Sequence, residues 1–206
     1  MRLLLISTCG AEGVVALATE TGVTAEVSLP GRGASEALLP ALRSMMRAAG
    51  LTAEDVDAVA VVNGPGSFTG VRVGLAAAKG LCDAGGMRLI ALSRLALLAA
   101  ADGDRVALLD AGRGEFFCGV YRYGVAVDEE LLGEDAARQR MKSGRPVACE
   151  EKVAARLGIE CVAEPGAEAM LAAALGRIER GEWNDVALTD ANYLRRTDAE
   201  LKVMGR

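Results

Sequence analysis

Apolar and polar positions along this chain change period several times. Arg2–Ser7, Gly13–Thr19 and Val23–Leu29 are strand-like runs joined by Thr-Cys-Gly-Ala-Glu and Glu-Thr-Gly turns, and such close spacing predicts antiparallel hairpins. The period then becomes helical. Between Ser35 and Ala49, the residues Leu38, Leu39, Leu42, Met45 and Met46 recur at the spacing of one helix face. Ser35 is the expected N-cap, Pro40 falls near the first turn, and Gly50 is the expected stop. Thr52–Asp55 leads into a continuous apolar strand, Asp57–Asn63. A glycine-rich turn and a helix of small residues, Val71–Ala84, come next. Arg88–Leu92 reads as a strand and Arg94–Ala101 as a helix.

The pattern restarts at Asp104. Arg105–Asp110 and Glu115–Tyr123 read as strands about an Ala-Gly-Arg-Gly turn, with a third short strand over Val125–Val127. Helical segments at Glu134–Lys142, Glu151–Leu157 and Ala167–Arg180 alternate with short strands at Pro146–Cys149 and Ile159–Ala163. A meander followed by helix, strand, helix and strand is the order of a ribonuclease-H-like lobe. The chain therefore reads as α/β, with two related lobes at 1–102 and 103–206. The second lobe is degraded, and the last segment is placed to cross back onto the first.

The densest local signal is Asn63-Gly64-Pro65-Gly66-Ser67-Phe68-Thr69-Gly70, which joins a buried strand to a helix. Its glycines and proline leave the turn little freedom, and the N–H groups after it open a helix N-terminus, where anions bind. Two readings stand: a tight packing turn, or a ligand loop. It is neither common phosphate loop, because no Lys-Ser or Lys-Thr follows and the glycines miss the GxGxxG spacing.

Composition narrows the chemistry. With 206 residues the chain is long enough for one large domain or two lobes. Hydrophobic residues make up 51% but aromatics only 3%, so Ala, Val and Leu must build the core. Met1–Ser7 is too short for a signal h-region, and no apolar run reaches the ~20 residues of a membrane helix, so a cytoplasmic protein with no membrane association is expected. Cys9, Cys82, Cys118, Cys149 and Cys161 are scattered without CxxC spacing, which fits reduced thiols. The chain has no histidine. That excludes Ser-His-Asp and Cys-His catalysis and imidazole-bound metals. A net charge of −5 argues against strong nucleic-acid binding. The basic clusters Arg138, Arg140, Lys142, Arg145 and Arg195, Arg196, Lys202, Arg206 read as solvated faces.

As a whole motif, GPGSFTGVRVGLAAAKGL resembles the signature of the TsaB family, bacterial proteins needed to make threonylcarbamoyladenosine in tRNA. The resemblance continues through Ser35-Glu36-Ala37-Leu38-Leu39-Pro40, Leu108-Leu109-Asp110-Ala111-Gly112-Arg113-Gly114-Glu115 and Tyr193-Leu194-Arg195, in order along almost the full chain. It implies the actin- and Hsp70-like ATPase fold, in which each lobe's first hairpin faces nucleotide phosphates. On that basis Thr8, Asp110 and Gly112 are the candidate nucleotide-binding residues. Relatives usually carry Asp where this chain has Ser7, and His where it has Ala34. Losing the Asp removes an oxygen ligand that Mg²⁺ favours. Asp110 either holds a metal-bound water or caps its own turn.

The resemblance also implies partners. The catalytic subunit TsaD holds a metal with histidines, which this chain lacks. The expected role is accessory: binding and activating TsaD, with the ATPase TsaE as third partner, a homodimer in isolation, and tRNA reached only through the complex. No catalytic residue, metal or cofactor is assigned to the chain alone, and ATP with Mg²⁺ enters through the complex. The expected partner face is a two-helix bundle of Leu38, Leu42, Met45, Gly70, Gly74, Ala77, Ala78 and Leu81. The alternatives are a self-sufficient ATPase or transferase built on Asp110, and a protease, for which no metal motif or paired nucleophile is present.

Overall fold

The computed structural model describes residues 1–31 and 33–194; Arg195, Arg196, Lys202 and Arg206 of the second basic cluster, with the last residue of the Tyr193-Leu194-Arg195 match, lie outside them. The chain forms two compact units.

The first unit comprises Met1–Leu97 and Glu164–Ala191. Its strands are β1 (Arg2–Ser7), β2 (Gly13–Thr19), β3 (Gly22–Leu29), β4 (Ala58–Val62) and β5 (Arg88–Leu92), in sheet order β3-β2-β1-β4-β5. β1 and β2 pair antiparallel, Arg2 opposite Thr19, while β1 with β4 and β4 with β5 are parallel. The central strands are apolar throughout because both sheet faces are covered. Leu4, Ile6, Val15, Leu17, Val59 and Val61 pack with the residues of α1 (Ala34–Ala48) and α2 (Phe68–Gly85). Leu3, Leu5, Ala16, Ala58, Ala60 and Ile90 point the other way, onto α6 (Ala167–Glu179). Helix α6 lies beyond the expected lobe boundary at residue 102 but belongs to this unit: Ala167, Met170, Leu171 and Ala174 are buried on that second face. Ser35 is not the N-cap of α1, which starts at Ala34 after Gly33, whose φ of 92° suits glycine.

The second unit comprises Leu98–Ala163 and, among the described residues, 192–194. Its strands are β6 (Asp104–Gly112), β7 (Glu115–Arg122), β8 (Val125–Gly133), β9 (Arg145–Ala148) and β10 (Glu160–Cys161). The order β8-β7-β6-β9-β10 repeats the first unit's topology, and α4 (Glu134–Arg140) and α5 (Glu151–Leu157) cover one face. α3 (Arg94–Leu98) joins the two stretches of chain. β10 is reduced to two residues.

β8 is far longer than the short strand expected at Val125–Val127 and pairs with β7 from Arg122 opposite Val125 to Glu115 opposite Gly133. The run Asp128-Glu129-Glu130 hides it, being poor in strand formers. These carboxylates are matched in place: Arg140 pairs with Asp128 and Glu130, and Tyr121 donates its hydroxyl proton to Glu129. Arg138 likewise pairs with Glu134, and Arg145 with Glu160. Three of the four cations in the Arg138–Arg145 cluster are thus matched by acids of the same unit.

Candidate functional site

Strand β1 delivers Ser7, Thr8 and Cys9 to the turn of the first hairpin, and all three are buried. The signature run begins where β4 ends. The Asn63 N–H donates to Leu92 O at 3.0 Å, and Gly64 O accepts from the Arg94 N–H at 2.7 Å. Gly64 takes φ 109° before a cis peptide bond to Pro65. Ser67 caps α2 by accepting from the Gly70 N–H at 3.3 Å.

What the run grips is the hairpin turn. The Ser67 N–H donates to Cys9 O at 3.0 Å, and Thr8 Oγ1 donates to Gly70 O at 2.6 Å. Three glycines at four-residue spacing meet the same two residues. A Cβ on Gly66 would lie 2.4 Å from Cys9 O, one on Gly70 1.9 Å from Thr8 O, and one on Gly74 2.4 Å from Thr8 Oγ1. Between the two readings of the loop, this geometry selects the packing turn. The glycines let a hairpin, rather than a second helix, approach α2.

Two residues at this turn carry no motif in the sequence. Arg94, only 4% exposed, forms a bidentate pair with Glu164, Nε to Oε1 at 2.7 Å and Nη2 to Oε2 at 2.6 Å. Glu164 Oε1 also lies 3.2 Å from where a Cβ on Gly10 would be. An arginine inside the apolar run Leu92–Leu98 was the available signal, since such a side chain is rarely buried without a partner. Burial pushes the Cys9 thiol above its ordinary range, opposed in part by Arg94 and by a contact with Ser7.

The first hairpin does not fit a magnesium nucleotide. Ser7 offers no carboxylate, the Thr8 hydroxyl is bonded to Gly70, and the Glu164 carboxylate, paired with Arg94, lies beside Gly10. At the second hairpin Asp110 is exposed. Its Oδ1 accepts from the Gly112 N–H at 2.7 Å, and its own N–H donates to Glu150 Oε2 at 2.7 Å. Gly112, Arg113 and Gly114 follow at φ 73°, 55° and 80°. Asp110 thus caps its own turn through Oδ1. Thr8 lies in the first unit and Asp110 and Gly112 in the second. Among the described residues no three His, Cys, Asp or Glu side chains are grouped to hold a metal, and no helix is long and apolar enough to cross a membrane.

Residues 22–144 match the family model for TsaD, tRNA N6-adenosine threonylcarbamoyltransferase. The tRNA threonylcarbamoyladenosine biosynthesis protein TsaB of Escherichia coli is 30% identical, with 100% of both chains covered. The chain belongs to the TsaB family. Its function accordingly lies in the biosynthesis of threonylcarbamoyladenosine in tRNA. TsaB of Bacillus subtilis is 31% identical over 71% of this chain and 69% of its own. The structure of YeaZ from Pseudomonas aeruginosa superposes with a TM-score of 0.77 at 26% identity, covering 94% of this chain and 99% of its own.

In this TsaB-family chain most of the expected partner-face residues face inward. Leu38, Leu42, Met45 and Ala78 are buried in the core between α1, α2 and the sheet. Gly70 and Gly74 are filled against Thr8. Ala77 and Leu81 are half-buried at the edge of the same core. The apolar periodicity found the sheet-facing side of each helix, which is its commonest meaning. The outward side carries Leu39, 56% exposed, and Phe68, 57% exposed, with the Arg72 guanidinium 3.8 Å above the Phe68 ring.

Proposed function

We propose that this TsaB-family chain is an accessory, non-catalytic subunit of the machinery that makes threonylcarbamoyladenosine in tRNA, binding and activating a TsaD-type catalytic subunit. The observation that carries this reading is the filled first hairpin. Thr8 is spent on Gly70, the Glu164 carboxylate held by Arg94 sits beside Gly10, and no carboxylate stands at Ser7. A transferase working alone needs a general base or a metal-bound phosphate there. The chain itself holds no nucleotide, and ATP with Mg²⁺ serves the complex through the TsaD-type subunit and a TsaE-type ATPase. Its net charge of −5 leaves the approach to tRNA to the complex.

The partner face of this reading is the outward side of α1 and α2 about Leu39 and Phe68. It serves a homodimer when the chain is alone and a TsaD-type subunit when that is present. An apolar pair with a stacked arginine is the composition of an interface centre. Leu39→Glu and Phe68→Glu leave the core untouched. The expected result is a monomer on gel filtration that no longer co-purifies with the TsaD-type subunit. Unchanged dimer and unchanged co-purification would reject this face. Tight Mg-ATP binding by the isolated chain, lost on Asp110→Ala, would instead favour a self-sufficient ATPase.

A further inference from the structure

We propose that Asn63 and Lys79, which lie at the two ends of the signature region, latch the segment Asn184–Asp190 onto the first unit, so that this segment opens and closes as one piece. After α6 the chain turns at Gly181, φ 69°, and passes along the outer edge of β5. Asn184 mimics a paired strand residue there. Its N–H donates to Leu89 O at 2.9 Å and its Oδ1 accepts from the Ala91 N–H at 2.9 Å.

The residues that follow form a single helical turn. Thr189 N–H donates to Asp185 O at 2.9 Å, and Leu188 N–H to Asp185 Oδ1 at 2.9 Å. An isolated turn leaves its last carbonyls without helical partners. Here the signature supplies them: Lys79 Nζ donates to Ala187 O at 3.2 Å and Thr189 O at 3.0 Å, and Asn63 Nδ2 donates to Asp190 O at 3.0 Å. Lysine near a helix end is suited to this, since three donors on one flexible stem reach several carbonyls.

Little apolar burial backs these contacts. Asp185, Ala187, Leu188 and Asp190 are exposed, Leu188 at 82%; Thr189 is buried but polar, and Val186 and Ala191 pack partly on the core. A segment held by a few polar bonds and little buried surface belongs to the low-stability end of a fold. α6, with its fully buried face, stays behind when the segment opens. Opening strips Leu89 O and the Ala91 N–H of their partner and leaves β5 an unpaired strand edge, a surface that pairs readily with other chains.

Amide hydrogen exchange read by mass spectrometry tests the latch on the full chain. In Lys79→Met, which keeps the stem and loses the donors, exchange at Asn184, Leu188 and Thr189 is expected to rise by about tenfold or more. Asn63→Ala acts in the same direction, Lys79→Arg restores protection, and amides of β1 and β4 keep their wild-type rates in all three. Unchanged exchange in the segment would overturn the proposal. So would a rise spread evenly over β1, β4 and the segment, because the contacts would then be part of the global fold.

Discussion

Gly70→Ala is the sharpest test of how the signature run works. A methyl group there would stand 1.9 Å from Thr8 O, where ordinary contact begins at 3.4 Å, so hairpin and helix must separate by about 1.5 Å (3.4 − 1.9). The atom it meets is backbone and cannot rotate away. Separation stretches the Thr8–Gly70 hydrogen bond, worth about 1 kcal/mol, and loosens Val71, Leu75 and Ala78 against the sheet. Overpacking of this kind costs roughly 1–3 kcal/mol. Alanine returns about 1 kcal/mol through helix propensity. The net expectation is a loss of about 2 kcal/mol, which for a chain of this size lowers Tm by roughly 4–8 °C. Gly80 on the same helix is exposed with nothing within 4 Å of its Cβ position. Gly80→Ala therefore gains up to about 1 kcal/mol, and Tm rises. Thermal unfolding followed by circular dichroism measures both. A Gly70→Ala protein as stable as wild type, or a Gly80→Ala protein that falls by the same amount, would refute the packing account.

Glu164→Ala removes the bidentate partner of a guanidinium that is 4% exposed, and because Glu164 is itself 39% exposed the cost is set at about 2 kcal/mol, below that of a fully buried pair. Adding Arg94→Met should recover part of that loss in denaturant titration; a double variant weaker than Glu164→Ala would contradict a buried, paired charge. Thiol labelling at neutral pH should modify the exposed Cys161 promptly and spare Cys9, Cys82 and Cys118 until the chain unfolds. Burial raises the Cys82 thiol from 9.0 to about 11 and Cys118 to about 12, the latter helped by Glu130. A raised folded pKa favours the neutral form, so its contribution is intact below pH 9.0 and is lost as pH climbs toward 11 and 12. The denaturant midpoint should fall over that window, and Cys118→Ala should fall less steeply than wild type.

Long apolar runs and their punctuation made most of the fold legible. Arg88–Leu92 and Glu151–Leu157 are bounded as expected because glycine, proline or a change of period closes each of them. β8 was underestimated because its middle, Asp128–Glu130, is acidic, and pairing with Arg140 and Tyr121 makes three carboxylates tolerable in a strand. The membership of α6 in the first unit depends on which sheet face is left uncovered, which local pattern does not encode. The site divides in the same way. Gly70 and Gly74 were expected on the partner face, but what they approach is Thr8, more than sixty residues away in sequence. Leu38, Leu42, Met45 and Ala78 were expected to meet a partner chain and meet their own sheet, since apolar periodicity cannot tell those surfaces apart. Arg94 and Glu164 are separated by a whole unit of chain, and no motif links them.

Reconstitution tests the accessory role most directly. A TsaD-type subunit, a TsaE-type ATPase, threonylcarbamoyl-adenylate and unmodified tRNA are combined with and without this chain, and threonylcarbamoyladenosine in the tRNA is quantified. The account predicts strong dependence on the chain, no product from the chain without the TsaD-type subunit, and full activity with Asp110→Ala. Product formed by the chain alone, or equal product with and without it, would contradict it.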